Sequence, residues 1–314
     1  MAVTLKEVAE RAGVSRSAVS RTYTDGASVS PKTRKKVEKA AKELGYSPNA
    51  LASSLTTGRT KLIGLISNNF HNPLFLEVFD LFTRRLQEKG LRPLLVNLTD
   101  ETDPENSLRM LKQYSVDGVI VASSTLSPEF AKAFHDAKIP VVHSFGRFAS
   151  APDVHVVGVD NVECGRMAAR TLLARGYKHI GFLGGPKGAT STVDRRAGFM
   201  EVMGQARRTA MLKELKGTHA EAYFCGDDVM SIGALSAINS SGLSAPTDIG
   251  IIGLNDMEMA KWENIDLTTI RQPIKQIVDS SVELVMAALE DSNRHPEARL
   301  FSCQVIERGT LRPI

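Results

Sequence analysis

The sequence predicts two architectures in one chain: an all-α helix-turn-helix module at the N-terminus, then an α/β region of two doubly wound parallel-sheet halves. Three observations carry this. The charge is uneven, because residues 1–60 hold eleven Lys or Arg against five Asp or Glu, a net +6, whereas all 314 residues total +4. Three short segments near the N-terminus each begin on a helix-capping residue. From Leu62 onward, apolar runs alternate with helical patterns, the signature of strands and crossover helices. A composition of 42% hydrophobic and 24% charged residues is ordinary for a chain with a full-sized core.

The first helix starts at Thr4, which with Glu7 forms a capping box, each side chain satisfying a free backbone N–H of the other residue. Leu5, Val8, Ala9 and Ala12 make its apolar stripe, and Gly13 stops it. Ser15 caps a second helix two residues later, with Val14 and Val19 placed as a hydrophobic staple. Ser30-Pro31 opens a third, since the missing proline N–H costs nothing at the first helical position. Val37, Ala40, Ala41 and Leu44 give its buried face, and Gly45 ends it. Two helices joined by a tight Gly-Val-Ser turn make a helix-turn-helix, and the second leaves Arg16, Ser17, Ser20 and Arg21 on its outer side. Asn49 to Leu55 is under two turns, too short for a stable isolated helix.

Strands are expected at 62–67, 92–97, 117–122 and 140–144, separated by helices near 74–89, 103–114 and 128–136. A second series follows near 154–159, 179–183, 220–226 and 249–254. Two such halves imply a cleft beyond the carboxyl ends of their strands, where ligands bind in this architecture. Between Arg195 and Cys225 one long helical pattern, interrupted at Gly204, runs straight into the next strand.

The run from Thr4 to Ser15, with Ala18-Val19-Ser20-Arg21, Val29-Ser30-Pro31-Lys32-Thr33-Arg34 and the stretch 43–60, closely resembles the DNA-binding region of the LacI/GalR (lactose-repressor) family. The remainder is similar to the periplasmic-binding-protein-like effector domain of that family. Asn72-Pro73-Leu74-Phe75, Val159-Asp160-Asn161, Arg195-Arg196-Ala197-Gly198-Phe199, Cys225-Gly226-Asp227-Asp228 and Leu267 to Pro273 carry that likeness. The resemblance implies a helix-turn-helix domain at 1–47, a hinge helix and linker at 48–60, and an effector-binding and dimerisation domain at 61–314. The latter has two subdomains and three crossovers, with one strand expected to be missing near 204–220. It implies a sequence-specific transcriptional regulator, a repressor of a metabolic operon. The expected partners are near-palindromic double-stranded operator DNA, a small-molecule effector such as a sugar or sugar phosphate, and a second copy of the chain. No membrane partner is expected.

Residue by residue, Arg16, Ser17, Ser20 and Arg21 are expected to read base edges, and arginine there can donate a bidentate pair to guanine. Thr4, Ser15, Ser30, Thr33 and Arg34, near helix starts, suit phosphates, Asn49 belongs to the hinge, and Leu55 would wedge the minor groove. For the effector, the resemblance points to Asn69, Phe75, Ser124, Asp160 and Arg195, then Phe224, Asp228, Asn255 and Gln272. A core or capping role is the competing assignment for Phe75, Phe224, Asp160 and Asp228. The family commonly carries Asp where Asn255 stands, so inherited sugar specificity is in question.

Other chemistry finds little support. Gly184-Gly185-Pro186-Lys187-Gly188 lacks the Gly-Lys-Ser/Thr ending of a P-loop, and no catalytic motif appears. The chain is therefore expected not to be an enzyme, and no cofactor or metal is expected. Cys164, Cys225 and Cys303 are widely spaced, which suggests buried free thiols. With no apolar leader or membrane-length run, the expected location is the cytoplasm, in association with the nucleoid.

Overall fold

The computed structural model describes residues 3–24, 26–49, 54, 58–98, 104–214 and 219–314, with the side chains of 104 and 205–214 excepted. The chain divides into two compact units, Met1–Lys61 and Leu62–Ile314.

The first unit holds α1 (Leu5–Ala12), α2 (Arg16–Thr22) and α3 (Pro31–Leu44). All three starts are built as the side chains dictate. Thr4 N–H donates to Glu7 Oε2 at 2.7 Å while Thr4 Oγ1 accepts from Glu7 N. Ser15 Oγ accepts from Ala18 N, and Ser30 Oγ from Thr33 N, each at 3.2 Å. Both Gly13 (φ 63°) and Gly45 (φ 68°) end their helices in the left-handed region that favours glycine. Val8, Ala9, Val19, Val37, Ala40 and Ala41 form the core, and an Arg11–Glu43 ion pair at 2.7 Å ties α1 to α3.

The second unit contains two sheets. The first has the order β10-β5-β4-β3-β1-β2 and is parallel throughout. Its strands are β1 (Leu62–Ser67), β2 (Arg92–Asn97), β3 (Gly118–Ala122), β4 (Val141–Ser144), β5 (His155–Val159) and β10 (Ala298–Phe301). Strand alternation divides its side chains between two cores: Ile120 and Ala122 pack on one face, Val119 and Val121 on the other. Helices α4 (Leu74–Glu88) and α10 (Ile274–Glu290) cover the first face. Helices α5 (Pro104–Gln113) and α6 (Pro128–Asp136) cover the second. The sheet is thus wound on both sides.

The second sheet has the order β11-β9-β8-β7-β6. Its strands are β6 (Ile180–Leu183), β7 (Ala222–Cys225), β8 (Gly250–Asn255), β9 (Thr269–Arg271) and β11 (Gln304–Ile306), and β11 is antiparallel to β9. Its helices are α7 (Asn161–Ala174), α8 (Thr190–Glu214, kinked at Gly204) and α9 (Asp228–Ser240). The chain crosses between the halves three times: after β5, after β9 and after β10.

One grouping made from sequence needs correction. The segment at 154–159 opened the second series of strands, but β5 lies in the first sheet, between β4 and β10. Periodicity reports that a strand is buried, not which sheet receives it. The final helix likewise returns to the first half, where it packs on β3, β4 and β5.

Comparing the two sheets exposes an asymmetry. In the first, β1 is flanked by β2 on one side and β3 on the other, after which strands add outward in order. In the second, β6, β7, β8 and β9 follow the same outward order, yet among the described residues no strand lies on the far side of β6. Among the described residues the second sheet shows no counterpart of β2, and β6 lies at its edge.

Candidate functional site

The helical unit presents α2 with Arg16, Ser17 and Arg21 exposed and Ser20 half-buried. Ser15 Oγ anchors the helix start by accepting from Ala18 N–H, and Val19 and Thr22 supply the buried side, which leaves these residues facing outward. Ser15 and Ser17 hydroxyls are 2.9 Å apart. Thr4, Ser15 and Ser30 side chains are engaged in their caps, and Thr33 Oγ1 accepts from Ser30 Oγ at 2.9 Å. Arg34 is half-buried and donates from Nη1 to the Thr22 carbonyl at 2.8 Å, so it fastens the end of α2 as well as flanking it. Asn49 is exposed, while Leu55 lies outside the described residues.

In the α/β unit a cleft of about 310 Å³ opens between the halves. Asn69 follows β1 and Ser124 follows β3, the two adjacent parallel strands between which the strand order reverses, the expected ligand position for wound sheets. Phe75 comes from α4, Arg195 from α8, Asn255 from the end of β8 and Gln272 from the second crossing. These six sequence-designated residues, contributed by both halves, line one space.

Arg195 dominates its electrostatics. Its guanidinium is buried, donating Nε to Asn161 Oδ1 at 2.8 Å and Nη1 to the Gly226 carbonyl at 2.7 Å. Two fixed bonds set the plane of a group that carries five N–H donors in a rigid fork. Burial pushes its pKa below the ordinary arginine value, against the pull of Asp227 and Asp194. A desolvated cation of this kind favours an anion or a pair of acceptor oxygens.

On the opposite wall Asn255 Oδ1 accepts from Gln272 Nε2 at 2.6 Å. Asn255 has φ 128°, outside the comfortable range for a side-chain-bearing residue, so backbone strain is held at the cleft. Phe75 and Phe145 meet edge to face at 6.2 Å between centroids and form the apolar floor. Polar contacts span the two halves. Thr190 Oγ1 and Ser191 N–H both donate to the Ser124 carbonyl, and Asn72 Nδ2 donates to Asp227 Oδ2 at 3.3 Å. An Arg147–Asp194 ion pair at 2.7 Å joins them outside the cleft.

Three designated residues lie elsewhere, and each misplacement has a cause. Phe224 is fully buried against Phe182 and Phe199, at 5.4 and 6.0 Å between centroids, because β7 is an interior strand covered by α8. Asp228 is fully buried behind the cleft, accepting from Met257 N–H and Thr269 Oγ1, and burial raises its pKa to about 6. Its neighbour Asp227, the N-cap of α9, is the acid that reaches the cleft. Asp160 caps α7, accepting from Val162 N at 2.9 Å and Glu163 N at 3.1 Å, and lines an adjoining hollow with Arg147, Arg166 and Asp194. Sequence reading passed over Asn72, Thr125, Ser191, Thr192 and Asp227. Asn72 and Asp227 carried a signal, since each stands in a run that bears the family likeness and just before a helix start.

Among the described residues no cluster of His, Cys, Asp or Glu could hold a metal ion, and no helix is long and apolar enough to cross a membrane.

Residues 4–49 match the family of bacterial regulatory proteins described as lacI, and residues 169–311 match a periplasmic binding protein-like domain. The HTH-type transcriptional repressor PurR of Escherichia coli O139:H28 (strain E24377A / ETEC) is 32% identical over 330 positions, covering 98% of this chain and 96% of the relative. That span exceeds the 314 residues of the chain, so the relative holds residues that this chain lacks. PurR of Escherichia fergusonii matches equally. Among solved structures, the lac repressor dimer bound to operator and the anti-inducer ONPF superposes with a TM-score of 0.86 at 25% identity, covering 99% of this chain and 100% of that one. A LacI-family regulator from Silicibacter pomeroyi gives a TM-score of 0.76 at 28% identity over 99% of this chain and 100% of that one.

Proposed function

The chain belongs to the lacI family of bacterial regulatory proteins, and from that premise we propose how its two units work: α2 reads operator DNA and the Arg195 cleft receives the effector that controls it. The protein is a DNA-binding transcriptional repressor regulated by a small molecule, and not an enzyme. The observation that carries the cleft assignment is the buried guanidinium of Arg195. It is fixed in orientation by Asn161 and Gly226 and shares one 310 Å³ space with Asn69, Ser124, Asn255 and Gln272. That volume admits a molecule of monosaccharide size, and the wall chemistry suits a sugar, nucleobase or sugar phosphate.

In this reading residues 1–47 form the DNA-binding domain, 48–60 the hinge and 61–314 the effector and pairing domain. Two copies pair, which sets the spacing of two α2 helices on a near-palindromic operator. Arg16, Ser17, Ser20 and Arg21 face base edges. Thr33, Arg34 and the helix starts at Thr4, Ser15 and Ser30 face phosphates, and Asn49 and Leu55 belong to the hinge that enters the minor groove. Effector in the cleft shifts one half against the other and alters operator affinity, and the operator alters effector affinity by the same factor. The working location is the cytoplasm, on the nucleoid. Asn255 can donate and accept but brings no charge. Recognition therefore leans on Arg195 for acceptor oxygens and on Asp227 for hydroxyl or amino donors, the two charged groups of opposite sign that line the cleft.

Selection of genomic fragments by the purified protein at physiological salt tests the DNA half, and a near-palindromic consensus is expected. Sequence-independent binding alone would overturn it. For the cleft, sugars, nucleobases and sugar phosphates are screened by thermal shift against the native chain and Arg195→Ala. A compound that shifts both proteins equally binds somewhere else.

A further inference from the structure

Cys164 and Cys303 are 139 residues apart in sequence, yet their sulfurs stand 3.6 Å from each other. Cys164 is the fourth residue of α7, one turn past the first crossing, and is 1% exposed. Cys303 sits between β10 and β11, inside the third crossing, and is partly exposed. Both are free thiols. A disulfide requires sulfurs about 2.05 Å apart, so a closure of roughly 1.5 Å separates this pair from the bond. The two-residue connection Ser302-Cys303 can supply that movement more easily than the packed helix. The hydrogen bond between the sulfurs, aided by the Arg195 charge, holds the Cys164 thiol below the ordinary range, and the same contact pushes the Cys303 thiol up. The first proton of the pair therefore leaves from Cys164, and the remaining one stays on Cys303, shared across the contact.

We propose that Cys164 and Cys303 are a redox-modification site, closing to a reversible intramolecular disulfide when hydrogen peroxide reaches Cys303 and stapling the first crossing to the third. The Cys164 thiolate takes the Cys303 proton across the 3.6 Å contact as the Cys303 sulfur attacks a peroxide oxygen. The S–O bond forms, the O–O bond breaks, and the departing hydroxide leaves as water after taking a proton from solvent. The Cys164 thiol then attacks the resulting sulfenic sulfur. The S–S bond forms, the S–O bond breaks, and the second hydroxide leaves as water with the Cys164 proton. Two thiols are oxidised and one peroxide is reduced to two waters, counting the solvent proton as that released on first ionisation.

The staple has consequences for the hinge because both sulfurs lie beside the residue that organises the cleft. Asn161, three residues before Cys164, holds Arg195 Nε. Relative rotation of the halves passes through all three crossings, and a covalent tie between two of them restricts it.

The full chain, reduced and then treated with hydrogen peroxide, is digested without reductant and mapped by mass spectrometry. One linked peptide pair joining Cys164 to Cys303 is expected, lighter by two hydrogen atoms. Two of the three thiols should be lost, and dithiothreitol should restore them. Cys225→Ser should react as the native chain does, because burial raises the Cys225 thiol to about 12 and makes it inert. Cys303→Ser, at a partly exposed position, should abolish the linkage. Hydrogen exchange at 271–274, the crossing without a cysteine, should slow severalfold in the oxidised protein. Three surviving thiols, a sulfinic acid on Cys303 alone, or disulfides only between chains would overturn the site. A correct linkage with unchanged exchange at 271–274 would overturn the stapling.

Discussion

Replacing Gly198 by alanine puts a methyl group 1.8 Å from the Val162 carbonyl oxygen. An ordinary C···O contact is about 3.3 Å, so α7 and α8 would have to part by roughly 1.5 Å. The neighbouring contact allows no compensating slide, because a Cβ on Gly165 would already lie 2.0 Å from the Arg195 carbonyl. Both obstacles are backbone atoms, which cannot swing aside. Overpacking of this kind costs about 1–3 kcal/mol. Parting the helices also breaks the 2.8 Å bond from Arg195 to Asn161 and leaves buried polar atoms unpaired, about 1–3 kcal/mol more. A total near 3–4 kcal/mol corresponds to a fall in melting temperature of roughly 10 °C for a domain of this size. Urea denaturation followed through Trp262, the only tryptophan of the chain, reports on the α/β unit. Gly233→Ala is the matched control. That glycine is exposed on α9 with nothing within 4 Å of an added Cβ, so it should stabilise by about 0.5–1 kcal/mol. A Gly198→Ala protein within about 0.5 kcal/mol of native would mean the helices are not in backbone contact, and the account of how Arg195 is held would fail.

Other perturbations follow from the same structure. Arg16→Ala should relax base preference at one operator position by about 1–3 kcal/mol, whereas Lys35→Ala, which removes an exposed cation from α3 that would touch a phosphate, should weaken all sequences alike and reduce the salt slope by about 0.9. Equal losses on every sequence for Arg16→Ala would contradict base reading. Thr4→Ala removes the capping box and should cost the helical unit about 1 kcal/mol, read by circular dichroism melts of the full chain, and no change would show the cap to be idle. Two buried groups give opposing pH dependences. Burial raises Asp228 to about 6, so its contribution is present below the ordinary carboxylate pKa and lost as pH rises through 6. Burial lowers His143 to about 4, so stability is lost as pH falls from about 6.5 toward 4. The two offset each other in native protein. Asp228→Asn should unmask the histidine, stability rising by about 3 kcal/mol between pH 4 and 6.5, and a urea midpoint that stays flat with pH in that variant would refute the assignment.

The local signals in the sequence were sufficient for the helical unit. Thr4, Ser15 and Ser30 cap, Gly13 and Gly45 terminate, and each such interaction spans at most a few residues, so the chain itself specifies where these helices begin and end. Strand–helix alternation fixed the wound α/β class for a similar reason, since a buried strand and an amphipathic helix each write their period into a short window. Cleft residues at strand ends, such as Asn69, Ser124 and Asn255, were legible because the architecture places ligands there.

Tertiary structure decided what depends on residues far apart in the chain. The membership of β5 in the first sheet follows from three crossings, which no window of sequence contains. Phe75 reaches the cleft and Phe224 does not, although both follow the same apolar pattern, because α8 covers the inner face of β7. Asp227 and Asp228 are adjacent in sequence and face opposite ways. The first caps α9 at the cleft and the second turns back toward β9, so a shift of one residue exchanges a ligand-facing acid for a buried one. Cys164 and Cys303, read from sequence as unrelated thiols, meet because the first and third crossings run side by side. Burial and proximity are properties of packed surfaces from several elements at once, and they come into existence only when the chain has closed on itself.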